Sequence, residues 1–133
     1  MTSRLLRRTS FSAFALGLAI AAPAGAHHSF APFDLTTQKT VSGTVKQVDW
    51  TNPHTWIWVN VSNKEGGVDA WGFEGMSPNY LNRRGWTKKT LQPGEQVTVT
   101  FRPLRDGSHG GMFVNAKRPD GTVLTMFAEP TDR

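Results

Sequence analysis

The stretch from Val41 to Val61, VSGTVKQVDWTNPHTWIWVNV, constrains the fold more than any other part of the chain. Val41, Gly43 and Val45 alternate with Ser42, Thr44 and Lys46; then the phase slips by one, so that Val48 and Trp50 carry the apolar positions. In a period-2 strand such a slip marks a bulge, which bends and twists the strand. Asp49 to His54 interrupts the run, because Asn52-Pro53 favours a turn and proline has no N–H to give a central ladder. Thr55 to Val61 reads as a second strand, with Trp56, Trp58 and Asn60 on one face and Ile57, Val59 and Val61 on the other. A bent strand, a polar corner and a strand with apolar residues on both faces predict the start of a small barrel.

The remaining elements follow from local chemistry. Ser62 to Gly67 is a polar hairpin loop, and Val68 to Glu74 is a third strand with Trp71 and Phe73 on one face. Ser77-Pro78 is a helix start, serine as N-cap and proline at the first helical position, and Arg83-Arg84-Gly85 ends the helix after barely two turns. Trp86 to Leu91 reads as a second short turn capped by Thr87. Leu91-Gln92-Pro93-Gly94-Glu95 is a tight turn feeding a fourth strand in which Val97, Val99 and Phe101 alternate with polar residues, and Pro103 ends that strand. Asp106 to Gly111 reads as a mobile, glycine-rich loop and Met112 to Lys117 as a fifth strand. After the Pro119-Asp120-Gly121 turn, Thr122 to Phe127 is expected to close the sheet. The order β-β-β-α-β-β predicts an all-β chain with one short helix, an OB-like small β-barrel. An open β-sandwich is the alternative that periodicity does not separate from it.

The first 26 residues are expected to be a cleaved secretory signal peptide. Arg4, Arg7 and Arg8 form a basic start, Phe11 to Ala22 a short apolar run, and Ala24-Gly25-Ala26 a small-residue cleavage site. The apolar run is too short for a permanent membrane span, which needs about 20 residues. Arg7-Arg8 leaves twin-arginine export open beside ordinary secretion. Cleavage after Ala26 places the protein in the periplasm or outside the cell, with an arm over residues 27–38, the barrel over 39–128 and a frayed tail over 129–133. Removing the three leader arginines lowers the formal charge from +5 to +2, which does not point to nucleic acid or to an anionic membrane as partner. The chain has no cysteine, so disulfides and thiolate metal sites are excluded. An exported domain without disulfides has to stand on its core, and the five tryptophans are expected to serve it.

His27-His28-Ser29-Phe30, Trp50-Thr51-Asn52-Pro53-His54, Ser77-Pro78-Asn79, Arg83-Arg84-Gly85-Trp86, Leu91 with Pro93-Gly94, and Pro103-Leu104-Arg105-Asp106-Gly107-Ser108 occur in that order along the chain. In these motifs the chain resembles the small exported bacterial proteins grouped as domain of unknown function 6152. The resemblance spans essentially the whole chain after the leader. It implies a secreted or periplasmic single-domain β protein, and it implies no activity, ligand or catalytic residue.

The chain after the leader carries four histidines, His27, His28, His54 and His109. If cleavage leaves His27 first, its free α-amine and its imidazole can chelate one metal ion. One further imidazole completes a three-nitrogen histidine brace, an arrangement that suits Cu(II). His54 at a strand corner and His109 in a glycine-rich loop are candidate partners, as is His28. Against this stand ordinary readings: a solvated chain end for His27 and His28, a turn residue for His54 and a loop tip for His109. Met76, Met112 and Met126 do not cluster in sequence and read as core.

Trp50, Trp56, Trp58 and Trp71, with Phe73, lie on the first three strands, the surface on which OB-type barrels stack sugars or single-stranded nucleic acid. For an exported protein a glycan or a protein is the better match. Rings at alternate positions ordinarily fill a small barrel. Yet Trp56/Trp58 and Ile57/Val59 cannot share one interior, so one pair needs another cover. Acid–base chemistry is thin. Asp34, Asp49, Glu74 and Asp106 lie near loops or strand ends, with Asp49 and His54 flanking one corner. A Ser108, His54, Asp49 set can be drawn, but no nucleophile elbow supports it. Arg83-Arg84 and Lys88-Lys89 read as a solvated face.

The sequence therefore predicts an exported OB-like barrel that binds rather than catalyses, with copper at His27 as the leading expectation. The alternative is a metal-free module that docks a protein or glycan on its aromatic face. A copper-dependent oxidase ranks last, because no extended substrate surface is evident.

Overall fold

The computed structural model describes residues 30–127. The expected leader, the histidines His27 and His28 and the tail from 129 onward lie outside the described residues. Six strands and one helix follow in the order β1 (Lys39–Asp49), β2 (Trp56–Ser62), β3 (Val68–Glu74), α1 (Pro78–Asn82), β4 (Gln96–Pro103), β5 (Gly110–Lys117) and β6 (Val123–Thr125).

β1 is the strand that turns the sheet into a barrel. Its first half pairs antiparallel with β4, from Lys39 opposite Phe101 to Thr44 opposite Gln96. Its second half pairs with β2, from Thr44 opposite Asn60 to Asp49 opposite Trp56. Between the halves the register shifts at Val45/Gln47, the bulge expected from the slip in hydrophobic phase. The turn before β4 locks the bend. Val45 N–H donates to the Glu95 carbonyl at 2.8 Å, and Gly94 N–H donates to the Val45 carbonyl at 2.8 Å.

β2 and β3 form a hairpin in continuous register from Trp56 opposite Glu74 to Ser62 opposite Val68. Its loop is organised by Asn63, whose side-chain oxygen accepts from the N–H groups of Glu65 at 3.1 Å and Gly67 at 2.8 Å. β4 pairs antiparallel with β5, and β5 pairs in parallel with β3. The cycle β1-β2-β3-β5-β4 is thereby closed. The result is a five-stranded, OB-like barrel with one extra strand, as the element order predicts.

Two expectations change here. Gly110 and Gly111 do not belong to a mobile loop; both are buried and open β5, where they face Gly72 and Phe73 of β3. Closure is made at this seam and not by the segment after Gly121. β6 pairs only with Asn115–Lys117, extending the sheet along the part of β5 that β3 does not reach.

Burial decides which face of β2 is inside. Ile57 and Val59 are fully buried, with Val45, Phe73, Val97, Val99, Phe101 and Phe113 around them. Trp56 and Trp58 are half-buried and point away from this core. The short helix joins the core through Leu81. Ser77 Oγ accepts from Tyr80 N–H at 3.3 Å, Pro78 occupies the first turn, and Leu81 is fully buried. A five-residue helix has no independent stability, so this packing holds it. Trp86 follows; its ring meets Phe113 edge-on at 5.9 Å and its indole N–H donates to the Thr125 carbonyl at 2.9 Å.

The described part of the arm before β1 is held by backbone bonds, Asp34 N–H to the Pro103 carbonyl and Arg105 N–H to the Pro32 carbonyl. Of its apolar residues only Phe33 is buried, whereas Phe30 and Leu35 stay largely exposed. Among the described residues no helix is long and apolar enough to cross a membrane.

Candidate functional site

The corner between β1 and β2 sits above a cavity of about 560 Å³. Three local facts assemble it. The β2–β3 register puts Glu74 opposite Trp56, two residues from His54. Thr55 N–H donates to the Met76 carbonyl at 3.1 Å and Gly75 N–H donates to the Thr55 carbonyl at 2.8 Å, tying the exit of β3 to the corner. The parallel seam sets Met112 beside Glu74. Asn52, Pro53 and His54 form one wall, Glu74 to Ser77 a second, and Met112, Phe113, Phe127, Phe30 and Phe33 the rest. A smaller cavity of about 280 Å³ reaches Arg102 and shares Phe30, Met112 and Phe127 with the first. An apolar chamber of this size with a few polar groups at one side is the usual form of a small-ligand site.

His54 Nδ1 contacts the Glu74 carboxylate. A carboxylate on one ring nitrogen orients an imidazole and sets its tautomer, as it does around metal-bound histidines. Asp49, the carboxylate nearest His54 in the sequence, is engaged elsewhere: Trp58 Nε1–H donates to its Oδ2 at 2.8 Å, and Gln47 bonds its other oxygen.

His109 lies apart from this site. Its ring stacks flat on Trp71, centroids 4.6 Å apart and planes within 3°, and its Nδ1 is 3.7 Å from Asp69 Oδ2. Asp69 and Glu74 stand near opposite ends of β3, roughly 16 Å apart at the usual rise of a strand. The His109 side chain is therefore held beside Trp71 and Asp69, and that of His54 beside Glu74 at the end of β3. Among the described residues no three His, Cys, Asp or Glu side chains converge as a metal site.

The tryptophans do not share one face. Trp56 and Trp58 stack on each other at 5.8 Å outside the barrel. Trp71 is opposite Val59 in the ladder and so turns inward, meeting Phe101 edge-on at 5.8 Å. Trp50 packs against the core. The Ser108, His54, Asp49 set is not assembled: Ser108 Oγ donates to Asp106 Oδ1 at 2.7 Å, and the other two have the partners given above. Arg83 and Arg84 stay on the solvated side, Arg84 over the Tyr80 ring.

Local patterning identifies His54 but not its environment. Met126 is a fully buried core residue, Met76 is partly buried and packs against the core while lining the cavity, and Met112 is a half-buried cavity residue. No sequence periodicity reports a parallel glycine seam, and that seam is what brings Met112 to Glu74.

Fold and cavity together define a small OB-like barrel with a ligand-sized chamber at the β1–β2 corner. The chain belongs to a family of unknown function, DUF6152, whose family model matches residues 16–115. No curated protein and no solved structure matches it.

Proposed function

We propose that the protein is an exported small binding protein that holds copper at the cavity corner. His27, made N-terminal by cleavage after Ala26, supplies its amine and imidazole, and His54 supplies the further imidazole. One observation carries this reading: Phe30, three residues after His27, lines the same cavity as His54 and Glu74. Three residues reach at most about 10 Å, so a chain that starts at His27 starts near the cavity that His54 lines. His109, stacked on Trp71 and beside Asp69, is apart from the His54–Glu74 pair and takes no part in this reading. A barrel with a metal at its corner is suited to sequestering copper or delivering it.

The test uses protein recovered after export. Its intact mass fixes the first residue, and a Cu(II) titration followed by EPR reads the donor set. A chain starting at His27 with a three-nitrogen spectrum is expected. His27→Ala, or one residue added before His27, should abolish tight binding, and His54→Ala should weaken it about tenfold or more. His109→Ala should leave it unchanged. Equal affinity in the wild type and the His27 variants sinks the proposal.

The stacked Trp56–Trp58 pair outside the barrel favours a second reading, a metal-free module that docks a protein or glycan on this face. It requires that Trp56→Ala stay folded and lose its partner in a pulldown.

A further inference from the structure

Met76 and Met112 are distant in sequence but line one cavity with His54. The backbone explains why. Met76 follows Glu74 by two residues and its carbonyl is bonded to Thr55, the neighbour of His54. Met112 is paired with Glu74 across the parallel seam. Both side chains are half-buried against the chamber, whereas Met126 fills the core. Thioether sulfur is a soft donor that selects Cu(I), and imidazole completes such a set. The Glu74 carboxylate on His54 Nδ1 orients that ring at the cavity wall. Phe33 and Phe113 make the surrounding walls apolar, the setting that limits water at a metal and favours the lower charge.

We propose that Met76, Met112 and His54 form a thioether–imidazole site for Cu(I) inside the cavity. It rests on the copper reading for the metal and for His54, and it is independent of His27. The chamber then has two donor sets that meet at one imidazole. Nitrogen from the chain start suits the oxidised ion, and sulfur from β5 and the β3 exit suits the reduced one.

The experiment titrates the exported protein anaerobically with Cu(I) in competition with bicinchoninate, and separately with Ag(I), a redox-inert soft ion. One equivalent of each is expected to bind. Met76→Leu and Met112→Leu should each weaken Cu(I) by about tenfold or more and leave Cu(II) affinity unchanged. Met-to-Leu swaps conserve volume and usually cost under about 1.5 kcal/mol, so thermal melts should confirm folded variants. Cu(I) affinity in the double variant within about twofold of wild type would overturn the proposal. X-ray absorption of the Cu(I)-loaded wild type should show sulfur scatterers, and a spectrum with nitrogen and oxygen alone overturns it without any variant. The two copper proposals separate cleanly. His27→Ala that loses Cu(II) and keeps methionine-dependent Cu(I) supports both. Cu(II) binding indifferent to His27 beside methionine-dependent Cu(I) removes only the earlier reading.

Discussion

Gly110 lies directly against the backbone of Gly72: a Cβ at Gly110 would stand 2.1 Å from the Gly72 carbonyl oxygen. The two residues are register partners in the parallel seam that closes the barrel. Gly110 also has φ +146°, where side chains are rare. On its other side Gly72 has the Trp58 ring, 2.7 Å from where its own Cβ would be. Gly110→Ala is therefore expected to open the seam and cost about 3 kcal/mol or more, a clash with backbone rather than with a movable side chain. Urea denaturation measures it. A loss below about 1 kcal/mol would mean that the seam tolerates separation.

The two faces of β2 should respond differently to truncation. Ile57→Ala removes a fully buried core side chain and should cost about 2–5 kcal/mol. Trp56→Ala removes an outward ring whose stacking on Trp58 contributes about 1 kcal/mol. Paired unfolding curves check this, and equal losses would place Trp56 in the core.

Thr55 is fully buried, and its Oγ1 has no hydrogen-bond partner among the described residues. Thr55→Val replaces that hydroxyl by a methyl of similar size and should stabilise the fold by about 1 kcal/mol. A higher Tm for the variant is expected. A lower one would show that the hydroxyl is satisfied in solution, by water or ligand.

Glu95 carries a pH dependence. The hydrogen bond from Arg118 Nε at 2.8 Å, and after it the bond from Gln92 N–H, hold its pKa below the usual 4.5 against the opposing effect of burial. A carboxylate with a lowered folded pKa stabilises above its unfolded value and loses that stabilisation as pH falls through the folded one. Glu95→Gln should thus lower stability near pH 6 by about 1 kcal/mol or less, a quarter-exposed pair being partly screened. The gap to wild type should close as pH falls below 4.5 and through the lowered folded value. A gap constant with pH would show that the carboxylate charge contributes nothing.

What was legible in the residues is what neighbouring residues dictate. The slip after Val45 became the bulge between Val45 and Gln47 because side-chain alternation is a property of the strand itself. Ser77-Pro78 became a cap, and Leu91 to Glu95 the turn that locks β1, because those residue types restrict their own backbone. The corner at His54 was legible for the same reason. Its partner was not: Asp49 is nearer in sequence, but the β2–β3 register delivers Glu74.

From its sequence alone this protein is determined as a β chain of five main strands and a capped short helix, with family membership and a histidine at a strand corner. Bulges, caps and turns are local energies, and they can be read one stretch at a time. Tertiary structure decided the rest. Both faces of β2 are apolar, so only packing could choose Ile57 and Val59 for the interior and leave Trp56 and Trp58 outside. The closing strand pair meets through Gly72, Gly110 and Gly111, residues without side chains to form a pattern. That non-local contact builds the cavity and gathers Met76, Met112, Glu74 and His54 around it.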